Sequence, residues 1–82
     1  MRPSDIRAKL RRQPFQPFRM YISDGSHYDV RHPEMLLVAR TEVAVGLGHD
    51  ADDLPEQLAY CDPLHITRIE PLAKGARRRR GG

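Results

Sequence analysis

The alternation on either side of Asp24-Gly25 constrains this chain more than any other stretch. In "PFRMYISDGSHYDV", Phe18, Met20 and Ile22 point one way and Arg19, Tyr21 and Ser23 the other. Successive side chains of a strand alternate faces, so the turn between two strands decides which residues share a face. A two-residue Asp24-Gly25 turn would set Met20 opposite Asp29 and Ile22 opposite His27, mixing polar and apolar groups. A three-residue loop, Ser23-Asp24-Gly25 with Gly25 left-handed in a bulge, pairs Phe18 with Val30, Met20 with Tyr28 and Ile22 with Ser26. It also sets Arg19 opposite Asp29, a favourable cross-strand ion pair. The second register is the one expected.

The same register weighs against a catalytic reading of Ser26, His27 and Asp29. Ser26 is expected on the core face, whereas His27 and Asp29 lie two apart on the outer face, out of reach of the hydroxyl. The four histidines and Cys61 contain no pair of pairs with zinc-ligand spacing. Cys61 and His65 are four apart, but Pro63 interrupts the helix that spacing would need, and Cys61 reads as a small core residue rather than a nucleophile. "GLGHDA" lacks a third glycine and leads into acids that would repel phosphate. No catalytic, cofactor-binding or metal residue is assigned, and the chain reads as non-enzymatic.

Elsewhere the elements are short. "PSDIRAKLRRQP" reads as a helix of about nine residues, with Ser4 as N-cap, Asp5 in the first turn, Arg11 and Arg12 in the last, and Pro14 ending it. Ile6 and Leu10 form its apolar stripe and must dock on something larger. Prolines 14 and 17 keep "PFQPF" extended. After the hairpin, His32-Pro33-Glu34 turns into a strand over 36–39, and Val43, Val45 and Leu47 alternate as the next. "HDADDLPE" reads as an acidic loop and "QLAYCD" as a strand. "DPLH" is a helical turn, and "ITRIEPL" a last strand with Ile66 and Ile69 packed. The fold class is α+β: a short N-terminal helix, then a mainly antiparallel barrel of about five short strands with a helical turn before the last. Curling into a small barrel disposes of strand edges. Residues 1–73 make one domain and 74–82 a basic tail expected to be mobile.

At 82 residues the chain buries only about 60 to 65% of its unfolded surface, too little for a large internal cavity and little enough that self-association would help. It has one cysteine and no apolar run long enough for a signal-peptide core or a membrane span, which leaves the cytoplasm as the default compartment. The net charge of +3 divides unevenly: +4 over residues 1–12, −6 over 13–70 and +5 over 71–82. A polyanion would therefore meet the ends, through Arg7, Lys9, Arg11 and Arg12 of the helix and Lys74, Arg77, Arg78, Arg79 and Arg80 of the tail. On the helix, an Asp5–Lys9 pair on a solvated face is the competing reading.

The run "RQPFQPFRMYISDGSHYDVRHPEMLLVA" with the closing "ITRIEPL" resembles a family of small bacterial proteins sharing a Pro-Phe-x-Pro-Phe segment, an Asp-Gly hairpin, a His-Pro-Glu turn and that last strand; the resemblance implies no activity. The element order is similar to Sm-like proteins, which implies ring assembly and RNA binding. The paired RNA-contacting loop motifs of those proteins are not recognisable here.

Two function classes remain. An interaction or assembly module would use a barrel edge or the helix face for a protein partner or a second copy. A nucleic-acid binder would use the basic ends as phosphate contacts, against an acidic body and only 6% aromatic residues. The first is preferred. No cofactor, small-molecule substrate or membrane is implied.

Overall fold

The computed structural model describes residues 1–49 and 54–72. Residues 50–53, in the expected acidic loop, and 73–82, which include Lys74 and Arg77 to Arg80 of the expected tail, lie outside the described residues.

Helix α1 spans Pro3–Arg11, with Arg2 rather than Ser4 at the N-cap. Proline accounts for the shift: its fixed φ and missing N–H suit the first helical position, so the helix starts two residues earlier than a Ser4 cap would place it. Arg2 is extended, and its carbonyl accepts from the amides of Asp5 (3.0 Å) and Ile6 (3.3 Å). The Asp5 carboxylate pairs with Arg2 (3.4 Å), not with Lys9. Arg12, placed by the sequence reading in the last turn, is already extended past the helix end. Ile6 is fully buried and Leu10 packs against the core beside it.

Six strands follow among the described residues, where about five were expected: β1 (Phe18–Ile22), β2 (His27–Val30), β3 (Leu36–Val38), β4 (Val43–His49), β5 (Pro55–Cys61) and β6 (Ile66–Pro71). They form two antiparallel three-stranded sheets, β2-β1-β6 and β3-β4-β5. Two 3-10 turns carry the chain between the sheets. One is Pro33–Met35, before β3, and the other is Pro63–His65, before β6. The His-Pro-Glu segment thus separates β2 from β3, as expected. Asp62 starts the second turn, its carboxylate accepting from the Leu64 amide at 2.9 Å.

The hairpin adopts the register that keeps its faces unmixed. Phe18 pairs with Val30, Arg19 with Asp29 and Met20 with Tyr28, and the Ile22 amide donates to the Ser26 carbonyl at 2.9 Å. Gly25 has φ +94°. Ser26 departs from expectation: it is exposed, since β2 starts only at His27, and its amide (2.9 Å) and hydroxyl (2.6 Å) both donate to Asp24, closing the loop.

Both sheets and the helix feed one core of Ile6, Phe18, Met20, Val30, Leu36, Val43, Val45 and Ile66, with Ile69 partly buried against it. β6 closes back on β1, pairing Met20 with Ile69 and Phe18 with Pro71. The Ser23 amide donates to the His65 carbonyl (2.8 Å), and the Met1 nitrogen to the carbonyls of Pro63 (2.8 Å) and Ile66 (3.0 Å). These bonds tie the hairpin and the start of α1 to the second 3-10 turn.

A Cβ added at Gly25 meets nothing within 4 Å, so a side chain there would pay in backbone strain alone. Gly25→Val should destabilise by about 1–2 kcal/mol, whereas His27→Ala on the exposed side should cost under about 0.5 kcal/mol. Ile6→Ala should cost about 2–4 kcal/mol, because it empties a fully enclosed site. Urea melts of the three variants check the order; His27→Ala costing more than Gly25→Val would refute the hairpin geometry.

Candidate interaction surface

The four basic side chains singled out on α1 are all exposed, but they do not form one face. They fall into two pairs that line different hollows. Arg7 and Arg11, four apart, border a groove against Leu36, Leu37 and Val38 of β3. Lys9 and Arg12, the latter just past the helix end, border a separate hollow with Pro17, Phe18 and Ile69. Arg40, which sequence reasoning passed over, joins the first pair. It sits in the tight β3–β4 connection, where the Ala39 amide donates to the Glu42 carbonyl at 2.8 Å, and it lines the end of the groove with Arg7 and Val38.

The outer face of the β3-β4-β5 sheet was also unread. Leu36, Val43 and Val45 point into the core, so alternation sends Leu37, Ala44 and Gly46 outward. Register then sets Leu37 opposite Ala44, Ala44 opposite Tyr60 and Gly46 opposite Leu58. Leu37 is 74%, Leu58 53% and Tyr60 62% exposed. Between Leu37 and Leu58 lies a shallow hollow of about 240 Å³, floored by the small residues Ala44 and Gly46 and walled by Met35 and Pro55, with His32 and Glu34 also lining it. A methyl added at Gly46 would stand 3.2 Å from the Pro55 Cβ, so this floor is close-packed. The available signal was the unbroken apolar run "MLLVA": a strand with water on one side does not need Leu37 as well as Leu36.

The outer face of the other sheet has the opposite character. Arg19 donates to both carboxylate oxygens of Asp29, at 2.7 and 3.2 Å. The Arg68 guanidinium lies 3.9 Å from the Tyr21 ring centre and bonds Glu70 at 3.0 Å, and the Tyr21 hydroxyl donates to Glu70 at 3.3 Å. Its arginines are thus engaged with neighbours on the same face. The Arg19 guanidinium holds the Asp29 carboxyl below the usual carboxylate range, and the same bond raises Arg19 above its ordinary value. Asp24 is likewise lowered, by the Ser26 hydroxyl and amide.

Ser26, His27 and Asp29 are not brought together: the hydroxyl serves Asp24, the carboxylate serves Arg19, and His27 lies beside Tyr21 with ring centres 6.0 Å apart. A different hydroxyl–imidazole contact joins Ser23 Oγ and His65 Nδ1 at 3.2 Å, on the exposed rim. No carboxylate bonds His65 among the described residues, so no third group orients it as a base. Burial pushes the half-buried Cys61 thiol up, with Asp62 adding to the effect, which makes it a weaker nucleophile at neutral pH. Among the described residues no three His, Cys, Asp or Glu side chains cluster to hold a metal, and no helix is long and apolar enough to cross a membrane. No protein-family model matches the chain, and no curated protein or solved structure matches it either.

The Arg19–Asp29 pair has a pH signature. Because the folded carboxyl is lowered, its contribution is present above the unfolded value of about 4 and disappears as pH falls through the folded value. Both side chains keep some water contact, so the pair is worth only about 0.5–1 kcal/mol. Asp29→Asn should lose that much stability at pH 7, and the gap to the unaltered protein should close toward pH 2. Urea melts at pH 7, 4 and 2 check this; a gap that stays constant across the series would assign the loss to packing instead.

Proposed function

We propose that the chain is a non-enzymatic interaction or assembly module that works in the cytoplasm and binds a protein partner or a second copy through the outer face of the β3-β4-β5 sheet. The observation that carries this reading is the exposure of Leu37 and Leu58 around the hollow over Ala44 and Gly46, with Tyr60 exposed opposite Ala44 on the same face. Apolar side chains gathered on one sheet face, rather than scattered singly, are what a docking surface presents. Covering a leucine there is worth about 1.5–3 kcal/mol if burial is complete. β5, an edge strand of its sheet, extends the surface with backbone groups that a partner strand can pair.

The same reading takes the two sheets as halves of a small Sm-like barrel. Its support is the order of elements, a helix first and a 3-10 turn before the last strand, together with the return of β6 to pair with β1. In that barrel the free edges of β5 and β6 are the places for self-association.

A second reading, nucleic-acid binding through Arg7, Lys9, Arg11 and Arg12 with the tail residues Lys74, Arg77, Arg78, Arg79 and Arg80, draws on one specific observation. The only acid of the helix, Asp5, is engaged with Arg2, which leaves the other four cations without an ion pair among the described residues.

Sedimentation over a range of concentrations, on the unaltered chain and on Leu37→Asn and Leu58→Asn, tests the first reading. Both substitutions should leave the melting free energy within about 0.5 kcal/mol, since the side chains are exposed, yet abolish association. Association unaffected by either would refute the surface. For the second reading, single-stranded RNA binding should weaken steeply with salt, and removal of residues 74–82 should flatten the log–log slope by roughly 3–4 units.

A further inference from the structure

We infer that the partner of this surface is an acidic amphipathic protein segment, with its apolar side chains on Leu37 and Leu58 and its carboxylates on Arg7, Arg11 and Arg40. The inference rests on the interaction-module reading and names the chemistry of what that face receives. Its origin is a single shared residue. Leu37 lines both the hollow over Ala44 and Gly46 and the groove between α1 and β3. The apolar hollow and the arginine groove therefore meet at Leu37, and a further hollow that adjoins the groove at Arg7 and Val38 reaches Arg40.

The charges of the groove are uncommitted. Arg2, Arg19, Arg31 and Arg68 each have a carboxylate partner, whereas Arg7, Arg11 and Arg40 have none among the described residues. Arg7 and Arg11 stand one helical turn apart, with Cβ atoms about 5–6 Å from each other, and the β3–β4 connection brings Arg40 to the same groove as Arg7. All three are arginines, whose planar forks grip a carboxylate through two hydrogen bonds. A nucleic-acid strand would use these cations too, but no aromatic ring lines the groove for a base to stack on, and such a ligand would leave Leu37 and Leu58 uncovered. A segment with leucine-like side chains at one end and acids at the other satisfies the leucines and the arginines together, its carboxylates lying in the arginine groove, which no acid lines, and away from Glu34 of the hollow.

The test uses a display library of random 16-residue peptides selected on the full chain, with labelled oligouridylate as the competing probe. The expected yield is peptides of net negative charge with Leu, Ile or Phe at helical spacing. Their affinity should fall about two- to five-fold for each of Arg7→Ala, Arg11→Ala and Arg40→Ala, and at least about as much for Leu37→Asn. Raising salt from about 50 to about 500 mM on the unaltered chain should weaken binding without any substitution. Neutral or basic peptides that need Leu37 and Leu58 but ignore the arginines would overturn the acidic partner and leave the docking face standing. Peptides indifferent to both leucines, or no enrichment at all, would overturn both. Oligouridylate bound through the same arginines, with no acidic peptide recovered, would make nucleic acid the ligand and overturn the proposal.

Discussion

Eight buried hydrophobic side chains among the described residues form the core that holds this protein together, and every element depends on them because none is stable alone. A nine-residue helix is too short to persist in water, and three-stranded sheets with strands of three to seven residues need their inner faces covered. Ile6 brings the helix to the core. Phe18 and Met20 of β1 face Leu36 of β3 and Val43 and Val45 of β4 within the same apolar cluster. Losing any one of these contacts loosens both sheets, since they share a single core.

The two outer faces show how differently the same pleated backbone can meet water. On β2-β1-β6, cross-strand register places Arg19 between Asp29 and Glu70, and Tyr21 between His27 and Arg68, so charges and rings find partners on the face itself. On β3-β4-β5, register places leucines and a tyrosine around alanine and glycine, and the face has no internal partner to satisfy it. The first is a finished surface, and the second is one whose free energy falls when something covers it.

Much of the fold was legible because its signals are local. The Asp24-Gly25 register followed from the requirement that Phe18, Met20 and Val30 share a face, and the second 3-10 turn from Asp62-Pro63. The helix start was misplaced by two residues because two local preferences competed, a serine cap and a proline first turn, and proline prevailed. The candidate surface was mostly illegible. Arg40 was one cation among many in sequence, 29 positions beyond Arg11, and Leu58 and Tyr60 were only half of an ordinary alternating strand.

The sequence by itself determined the order of elements, the hairpin register, the charge layout and the residues able to enter a core, because each of these follows from neighbours a few positions apart. Only the tertiary structure decided that Arg7 and Arg11 part from Lys9 and Arg12, that Arg40 shares a hollow with Arg7, and that Leu37 borders both an arginine groove and the hollow on the sheet face. The reason is that packing α1 beside β3 assigns a direction to each helical side chain. Strand pairing likewise sets Leu37, Ala44 and Tyr60 in one row although 23 positions separate the first from the last. Such adjacencies belong to the pairing of elements, and no short window of sequence contains them.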